Sequence, residues 1–538
     1  MKRLLYALSG LGLVSVFVMG TLNEKSPLRG TWSFSPFVAS TTALGTPDPI
    51  PTAAAGTLEG EQNVQNVAMT EESSGGDGGF VETFKNPPEV SSSGGVLNLT
   101  LTAEPKEIEI AGQRVQARVY NGLYIPPTLR VHPGDTVNIT LINAIDQPTN
   151  LHHHGANVSP LNNGDNVFID LMPGQIFNQQ VVYPPDHPPG FLWYHPHRHM
   201  FVEPQVFGGM SGGLIVEGML EPFPQLQGVK ERIMLLKDFQ NIGGQIPTEN
   251  IDSNAGTTRT VNGVVNPTLE IRPGETQFWR IGNIGADIYY NLKLDGHVFY
   301  EIARDGNRHT QVVAREEILL PPAARTEVLV QGGPRGIYSL RTLYFDQGAA
   351  GDQYPEVILA TLISAGSPEA PIPLPTKAQF PPVEDLRTQP IATSRTFVFS
   401  ENPETNEFFI NGNLFDENRI DTTVQLGTVE EWTIVNVADE EHVFHIHQLD
   451  FQVIEVNGQP SEFIGRQDVV NMPVHSTIKI LIPFTNPVIV GKFVYHCHIL
   501  SHEDNGMMAV IEVGDPNEVG DSKVGPSGGK TSASPHRH

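Results

Sequence analysis

Three stretches of this chain obey one grammar of turns and strands, and that grammar leaves few folds open. The first runs Asn121-Gly122, Pro133-Gly134-Asp135, Asn143. The second runs Asn262-Gly263, Pro273-Gly274-Glu275, Asn283, and the third Asn411-Gly412, Leu426-Gly427-Thr428, Asn436. From the turn glycine to the asparagine the spacing is nine residues in each copy. In the first copy Val137, Ile139 and Leu141 are apolar at every second position, which predicts a half-buried strand launched from a tight turn. A repeat of roughly 140–150 residues is too long for a solenoid and fits three copies of one domain. Many short strands between turn signals predict an all-β chain of three sandwich or barrel domains. Glycine (52) and proline (44) are abundant in the 538 residues, which favours turns over a helical bundle.

The rest of the chain frames these copies. Lys2 and Arg3 precede an apolar run from Leu4 to about Met19, so residues 1–21 are expected to be an export signal, or an anchor if uncleaved. Residues 22–95, rich in Gly, Ser, Thr and Pro, are expected to be flexible linker. The three domains are expected at 96–222, 228–366 and 391–515, with a Pro-rich linker at 367–390 and a disordered tail at 516–538. The net charge of −27 repels phosphate backbones, so nucleic acid is not an expected partner.

The histidines fall at matched places in the first and third copies. Nine residues beyond Asn143 and Asn436 stand His152-x-His154 and His445-x-His447, whereas the second copy carries Leu292-x-Leu294. Later, Gly190-Phe-Leu-Trp-Tyr-His195-Pro-His197 parallels Gly491-Lys-Phe-Val-Tyr-His496-Cys-His498; the second copy offers only Arg341 and Leu343 there. On a strand, residues i and i+2 share a face about 6–7 Å apart. Eight imidazoles from two related domains can therefore converge at one interface. Neutral imidazole suits copper, zinc, iron and nickel alike. A single pair would be an ordinary polar strand face, but four at matched positions are not coincidence.

Cys497, the chain's one cysteine, excludes an intramolecular disulfide and narrows the metal. Strand alternation points it away from its neighbours His496 and His498. With His442, His502 and Met507 it makes a two-histidine, one-thiolate set with a soft fourth ligand, the composition of a blue-copper site, whereas zinc more often recruits further thiolates or carboxylates. One strand then joins a one-electron port to a multi-metal site, an arrangement suited to four-electron reduction of dioxygen.

These residues resemble the multicopper oxidases, the group that includes laccases, bilirubin oxidases, bacterial spore-coat laccases and periplasmic cuprous oxidases. The likeness covers roughly residues 96–515 and four motifs in the family's order: His152-His-His154-Gly155; His195-Pro-His197; His442-Val-Phe-His445-Ile-His447; and His496-Cys497-His498 through His502 to Met507. The resemblance implies three cupredoxin-like Greek-key domains and four copper ions. Type 1 copper would take His442, Cys497, His502 and Met507, and type 2 copper His152 and His445. The type 3 pair would take His154, His195 and His498 on one ion and His197, His447 and His496 on the other. Three non-ligand positions depart from the common pattern: His153 for Trp, Val443 for Pro and Gln448 for Gly.

Dioxygen reduction consumes protons, so acids are expected near the cluster. By resemblance Glu503 is the proton-relay acid, and Asp165 is read as the acid below the type 2 copper; surface charge is the alternative for both. The resemblance also implies that the edge of His442 faces the reductant. There Asp439-Glu440-Glu441 would attract metal ions or aromatic amines. His199 is expected to be a supporting or surface residue. The sequence thus predicts an exported laccase-like enzyme, periplasmic, extracellular or at the cell surface. It would be a monomer that takes O2 and a phenol, aromatic amine or metal ion, and would touch membrane only through an uncleaved N-terminus. The competing readings are a non-catalytic copper-binding or structural cupredoxin protein and a copper nitrite reductase, whose centre needs fewer histidines.

Overall fold

A computed structural model describes residues 82–253 and 256–514 of the chain. The expected signal or anchor, residues 22–81 of the expected linker and the expected tail lie outside them. The described chain is all-β, as the repeats predicted, with short helices at Val202–Gly208 and Leu500–Asp504. Among the described residues, no helix is long and apolar enough to cross a membrane.

The repeated residues hold the same local structure three times. Asn121, Asn262 and Asn411 have φ of 52°, 54° and 53°, and the glycines after them 70°, 80° and 73°. Two successive left-handed residues make a tight turn that Asn-Gly adopts at little cost. Each asparagine Oδ1 accepts from the strand paired with the one it ends, from the backbone N–H of Thr102, Leu235 and Val398, at 2.8 Å in every copy. The strand-end residues Asn143, Asn283 and Asn436 are buried and tie down the following loop. Their Nδ2 groups donate to the carbonyls of Gln147, Ile288 and Glu440 at 2.8, 2.8 and 2.7 Å. They also donate across to Leu171, Leu320 and Met472. The nine-residue spacing therefore positions the strand that follows each asparagine, and in two copies that strand bears histidine.

Among the described residues the strands pair into three sandwiches. In the first, Val96–Ile110, Gln113–Tyr120, Thr136–Asn143 and Ile176–Val182 form one sheet. The other runs in the order Glu89–Ser91, Thr128–Val131, Gly212–Val216, Gly190–His195, His152–His154. Their inner faces share one core, with Leu101, Ile139 and Leu141 against Leu192, Tyr194 and Leu214. The third sandwich repeats that order as Thr422–Gln425, Met508–Gly514, Gly491–Cys497, His442–Ile446, with Val469–Met472 added. Trp432 fills its centre, 5.3 Å from the Tyr495 ring. The second places Gly336–Leu343 beside Tyr290–Leu294, with Leu292 and Leu294 in core positions.

Two segments differ from the expected linkers. Residues 82–95 are not a free spacer: Phe84 is buried, its N–H donates to the Thr268 carbonyl at 2.9 Å, and Glu89–Ser91 pairs in parallel with Thr128–Val131. An edge strand needs only its backbone groups, so its side chains Glu89 and Ser91 stay exposed and read as linker composition. Within 367–390, Phe380 packs on Phe223 with ring centroids 4.8 Å apart. There too the Leu386 N–H donates to Gln452 Oε1 at 2.7 Å. Two buried apolar side chains turn this Pro-rich stretch into a packed strap.

Candidate metal centres

The strand Gly491–Cys497 is the axis of the site. Its registers bring His496 opposite His445 and Cys497 opposite Phe444. On one side, Cys497 Sγ lies 3.9 Å from His442 Nδ1 and 3.8 Å from His502 Nδ1. Those two nitrogens are 3.1 Å apart, and the Val443 N–H points at the sulfur at 3.4 Å. The segment after His502 folds back, because the Cys497 N–H donates to the Met507 carbonyl at 3.0 Å and Met507 is fully buried. The structure thus brings His442, Cys497 and His502 into one buried group.

On the other side the eight paired imidazoles meet. His152 faces His195 across adjacent strands of the first sandwich. His152 stacks on His447 and His154 on His445, each with ring centroids 3.9 Å apart, so the seam joins the first and third sandwiches ring on ring. His496 Nε2 lies 3.2 Å from His197 Nε2 and 3.1 Å from His447 Nε2. His498 sits with its ring centroid 4.9 Å from that of His154 and 5.5 Å from that of His195. Backbone carbonyls fix several tautomers, since a carbonyl can only accept. His195, His445 and His496 give Nδ1–H to the carbonyls of Pro196, Asp468 and Cys497 at 2.8–2.9 Å. Each Nε2 lone pair is then left facing the cluster.

These residues fit copper on two observations. The Nε2 atoms of His152, His154, His195, His445 and His498 are buried with no hydrogen-bond partner, and such orphans are costly unless something binds them. Burial, then neighbouring imidazoles, hold His152, His154, His197, His445, His447 and His498 well below the usual histidine range. Burial likewise brings His195 down to about 3. The rings are therefore neutral, the form that binds metal.

Both sequence-predicted acids lie here. Asp165 is buried, with its oxygens 3.0 and 3.1 Å from His152 Nδ1, the His153 N–H at 2.9 Å and Gln448 Nε2 at 2.7 Å. Burial pushes it up to about 7, against the pull of those donors. Glu503 is fully buried, 3.0 Å from His496 Nδ1 and 3.5 Å from His197 Nε2. The His496 N–H is directed at the Cys497 carbonyl instead, so no donor is aimed at either Glu503 oxygen. His153 turns to the opposite face and meets the Tyr183 hydroxyl at 2.9 Å. His199 lies half-buried against Phe415.

The reductant edge differs from expectation. His442 is 0% exposed because its strand is flanked by Val469–Met472 and Gly491–Cys497; His502, on the outer short helix, keeps 5%. The acidic run is largely tied down: Glu440 Oε1 takes Gln347 Nε2 at 2.7 Å and lies 3.3 Å from His502 Nε2, and Glu441 takes Asn471 at 2.5 Å. Only Asp439 stands open, beside His475. Against burial, Glu440 and the Cys497 sulfur hold His502 well above the usual range.

Sequence reasoning missed the clamp behind the cluster. Arg325, from the second sandwich, is fully buried and binds Asp468 with two hydrogen bonds of 2.7 and 2.8 Å. Asp468 holds His445 through its carbonyl and lies 3.7 Å from His154 Nε2. The one available signal was an arginine opening the strand Arg325–Gln331, ahead of the apolar run Val328-Leu329-Val330. Gly155, at φ 82°, makes room for the clamp, since a Cβ there would sit 2.7 Å from Asp468 Oδ2 and strike Arg325. Gly155→Ala is expected to cost about 1–3 kcal/mol of stability in denaturant unfolding, because the backbone strain and the clash add.

Comparison with known proteins follows the same lines. Three models, each described as "Multicopper oxidase", match residues 102–220, 236–361 and 387–517. "Multicopper oxidase mco" of Staphylococcus haemolyticus is 31% identical over 447 residues, covering 79% of this chain and 91% of that protein. "Cell division protein FtsP" of Escherichia coli is 28% identical over 373 residues, covering 64% and 74%. The solved structure described as "Multicopper oxidase from Campylobacter jejuni: a metallo-oxidase" superposes with a TM-score of 0.70 at 28% identity, covering 80% of this chain and 95% of that one.

Proposed function

We propose, from the premise that this chain belongs to the multicopper oxidase family and is an oxidoreductase of that family, that it is a laccase-like oxidase. It oxidises small donors one electron at a time and reduces O2 to water. The observation that carries this reading is the strand in which Cys497 turns to one metal group while His496 and His498 turn to another. By this reading His442, Cys497, His502 and Met507 hold one copper. The eight paired histidines hold three: His152 and His445 one, His154, His195 and His498 a second, and His197, His447 and His496 a third. The last set already gathers as a buried three-nitrogen group.

Copper bound there supplies one-electron transfer from the donor and the four-electron, four-proton conversion of O2 to two waters. The chain's own residues do the rest. The peptide bonds flanking Cys497 are the short covalent link between the two groups. The carbonyls of Pro196, Asp468 and Cys497 keep three imidazoles in the ligating tautomer. Glu503, buried beside His496 and His197 with no donor aimed at it, is the acid that relays protons inward. Asp165 steadies His152 and is a second proton holder.

At the outer edge, Glu440 beside His502 Nε2 and Asp439 favour cationic donors, metal ions or aromatic amines, over anions. The apolar run at Leu4–Met19 supports export.

Copper-loaded protein is expected to be intensely blue and to consume oxygen with a phenol, an aromatic amine, Fe(II), Cu(I) or Mn(II), measured side by side. Loaded protein that stays colourless overturns the reading. Glu503→Gln is expected to lower oxygen turnover about a hundredfold or more while the blue colour stays, since the type 1 group is untouched. The likeness to cell division proteins favours a second reading, a cupredoxin protein without turnover; bound copper with no oxygen uptake would support it.

A further inference from the structure

Gln448 holds a backbone conformation that glycine would adopt without strain. Its φ is 61°, a left-handed value at which a Cβ is crowded, in the turn immediately after His447. An outlier of this kind points to what its side chain does. That side chain is buried and crosses from the third sandwich to the first, where Nε2 donates to Asp165 Oδ2 at 2.7 Å. Asp165 in turn meets His152 Nδ1. Gln448 also lines a cavity of about 610 Å³, walled by Asn157, His187, Asn307, Asp450 and Arg466 as well, which come from all three sandwiches. Asp450 is held from two sides, by Asn157 Nδ2 at 3.0 Å and Asn307 Nδ2 at 2.8 Å, so this wall is built rather than loose. Gln448 Oε1 is buried without a partner. One residue therefore borders a polar cavity and also binds the acid that supports His152.

We propose that Gln448 is the barrier between this cavity and the metal cluster: the space its side chain fills sets how fast small ligands reach the cluster from the cavity, while its hydrogen bond holds Asp165 against His152. The inference rests on the oxidase reading, in that it takes copper to be bound at the eight histidines. Gln448 touches neither substrate nor reacting atoms; it is a positioning residue that acts through Asp165 and through the space it fills.

Two substitutions separate its roles. Gln448→Gly removes both barrier and hydrogen bond while relieving the backbone. Gln448→Met keeps the bulk and loses the hydrogen bond. The probe is azide, a small anion that binds copper, added to fully copper-loaded protein and followed by stopped-flow absorbance, with copper content measured in parallel. The glycine variant is expected to bind azide at least tenfold faster than the wild type at unchanged copper content. The methionine variant is expected to stay within about threefold of wild type in azide rate, yet to show an altered type 2 electron paramagnetic resonance signal because Asp165 has lost a donor. An azide rate within twofold of wild type in the glycine variant overturns the barrier, and an unchanged resonance in the methionine variant overturns the support of Asp165. If the glycine variant loses copper, Gln448→Asn, one methylene shorter, is read in its place by the same criterion. Wild-type protein that binds copper but consumes no oxygen sinks the oxidase reading alone, and the azide comparison still decides the barrier. Wild-type protein that binds no copper sinks both.

Discussion

Cys497→Ser is expected to abolish the blue colour and to bring oxygen uptake with every donor down to the background rate. The folded protein should survive. By the proposed reading the thiolate is the soft ligand of its group, and serine at the same place is a neutral hydroxyl that binds copper poorly. The volume change is small, and Cys497 already has its backbone N–H satisfied by the Met507 carbonyl. The eight histidines on the other side are untouched, so metal analysis should find close to one copper fewer per chain rather than none. Colour, oxygen uptake and metal content measured on one preparation test this. Retention of the colour would mean that Cys497 is not a ligand.

The second large effect is expected at a residue that binds no metal in our reading. Arg325→Met leaves the Asp468 carboxylate buried without its bidentate partner, and breaking a buried pair from one side costs about 3–5 kcal/mol. Arg325 also gives Nε–H to the Phe191 carbonyl at 3.1 Å, so the first sandwich loses an anchor at the same time. Urea unfolding should register the loss. Copper content should fall with it, because Asp468 holds His445 in the ligating tautomer. Replacing both partners, Arg325→Met with Asp468→Leu, should recover a good part of the stability, since apolar groups can fill the space of a buried pair. The backbone carbonyl of residue 468, which holds His445, survives the second substitution, so copper content should recover along with the stability. A double variant as unstable as the single one would show that packing, not the stranded charge, sets the cost.

The sequence was legible where function repeats at short range. Two imidazoles at i and i+2, set nine residues beyond the same asparagine in two copies, can be counted in the chain, and the structure gathers those side chains. Cys497 was readable because its neighbours are histidines and a strand alternates. What escaped was of two kinds. Arg325 meets Asp468 across 143 residues and Gln448 meets Asp165 across 283, and no local pattern announces a contact between distant single residues. The strand Glu89–Ser91 escaped for another reason: at a sheet edge the backbone does the bonding, and the side chains are free to look like a spacer. The reductant edge failed for a third reason. Whether His442 or His502 comes nearer the surface depends on which strand lies between two others, and that order is not written in either motif.

The stacked rings of His152 and His447, and the nitrogens that bring His197 to His496 across 299 residues, mean that neither half of the polypeptide owns the finished histidine cluster. A nascent or clipped chain offers only part of that cluster, such as His152, His154 and His195 of the first sandwich. Maturation is therefore ordered in time: the outer lobes must close on one another before the last ions can be captured. If the chain crosses a membrane unfolded, it must collect its metal on the far side.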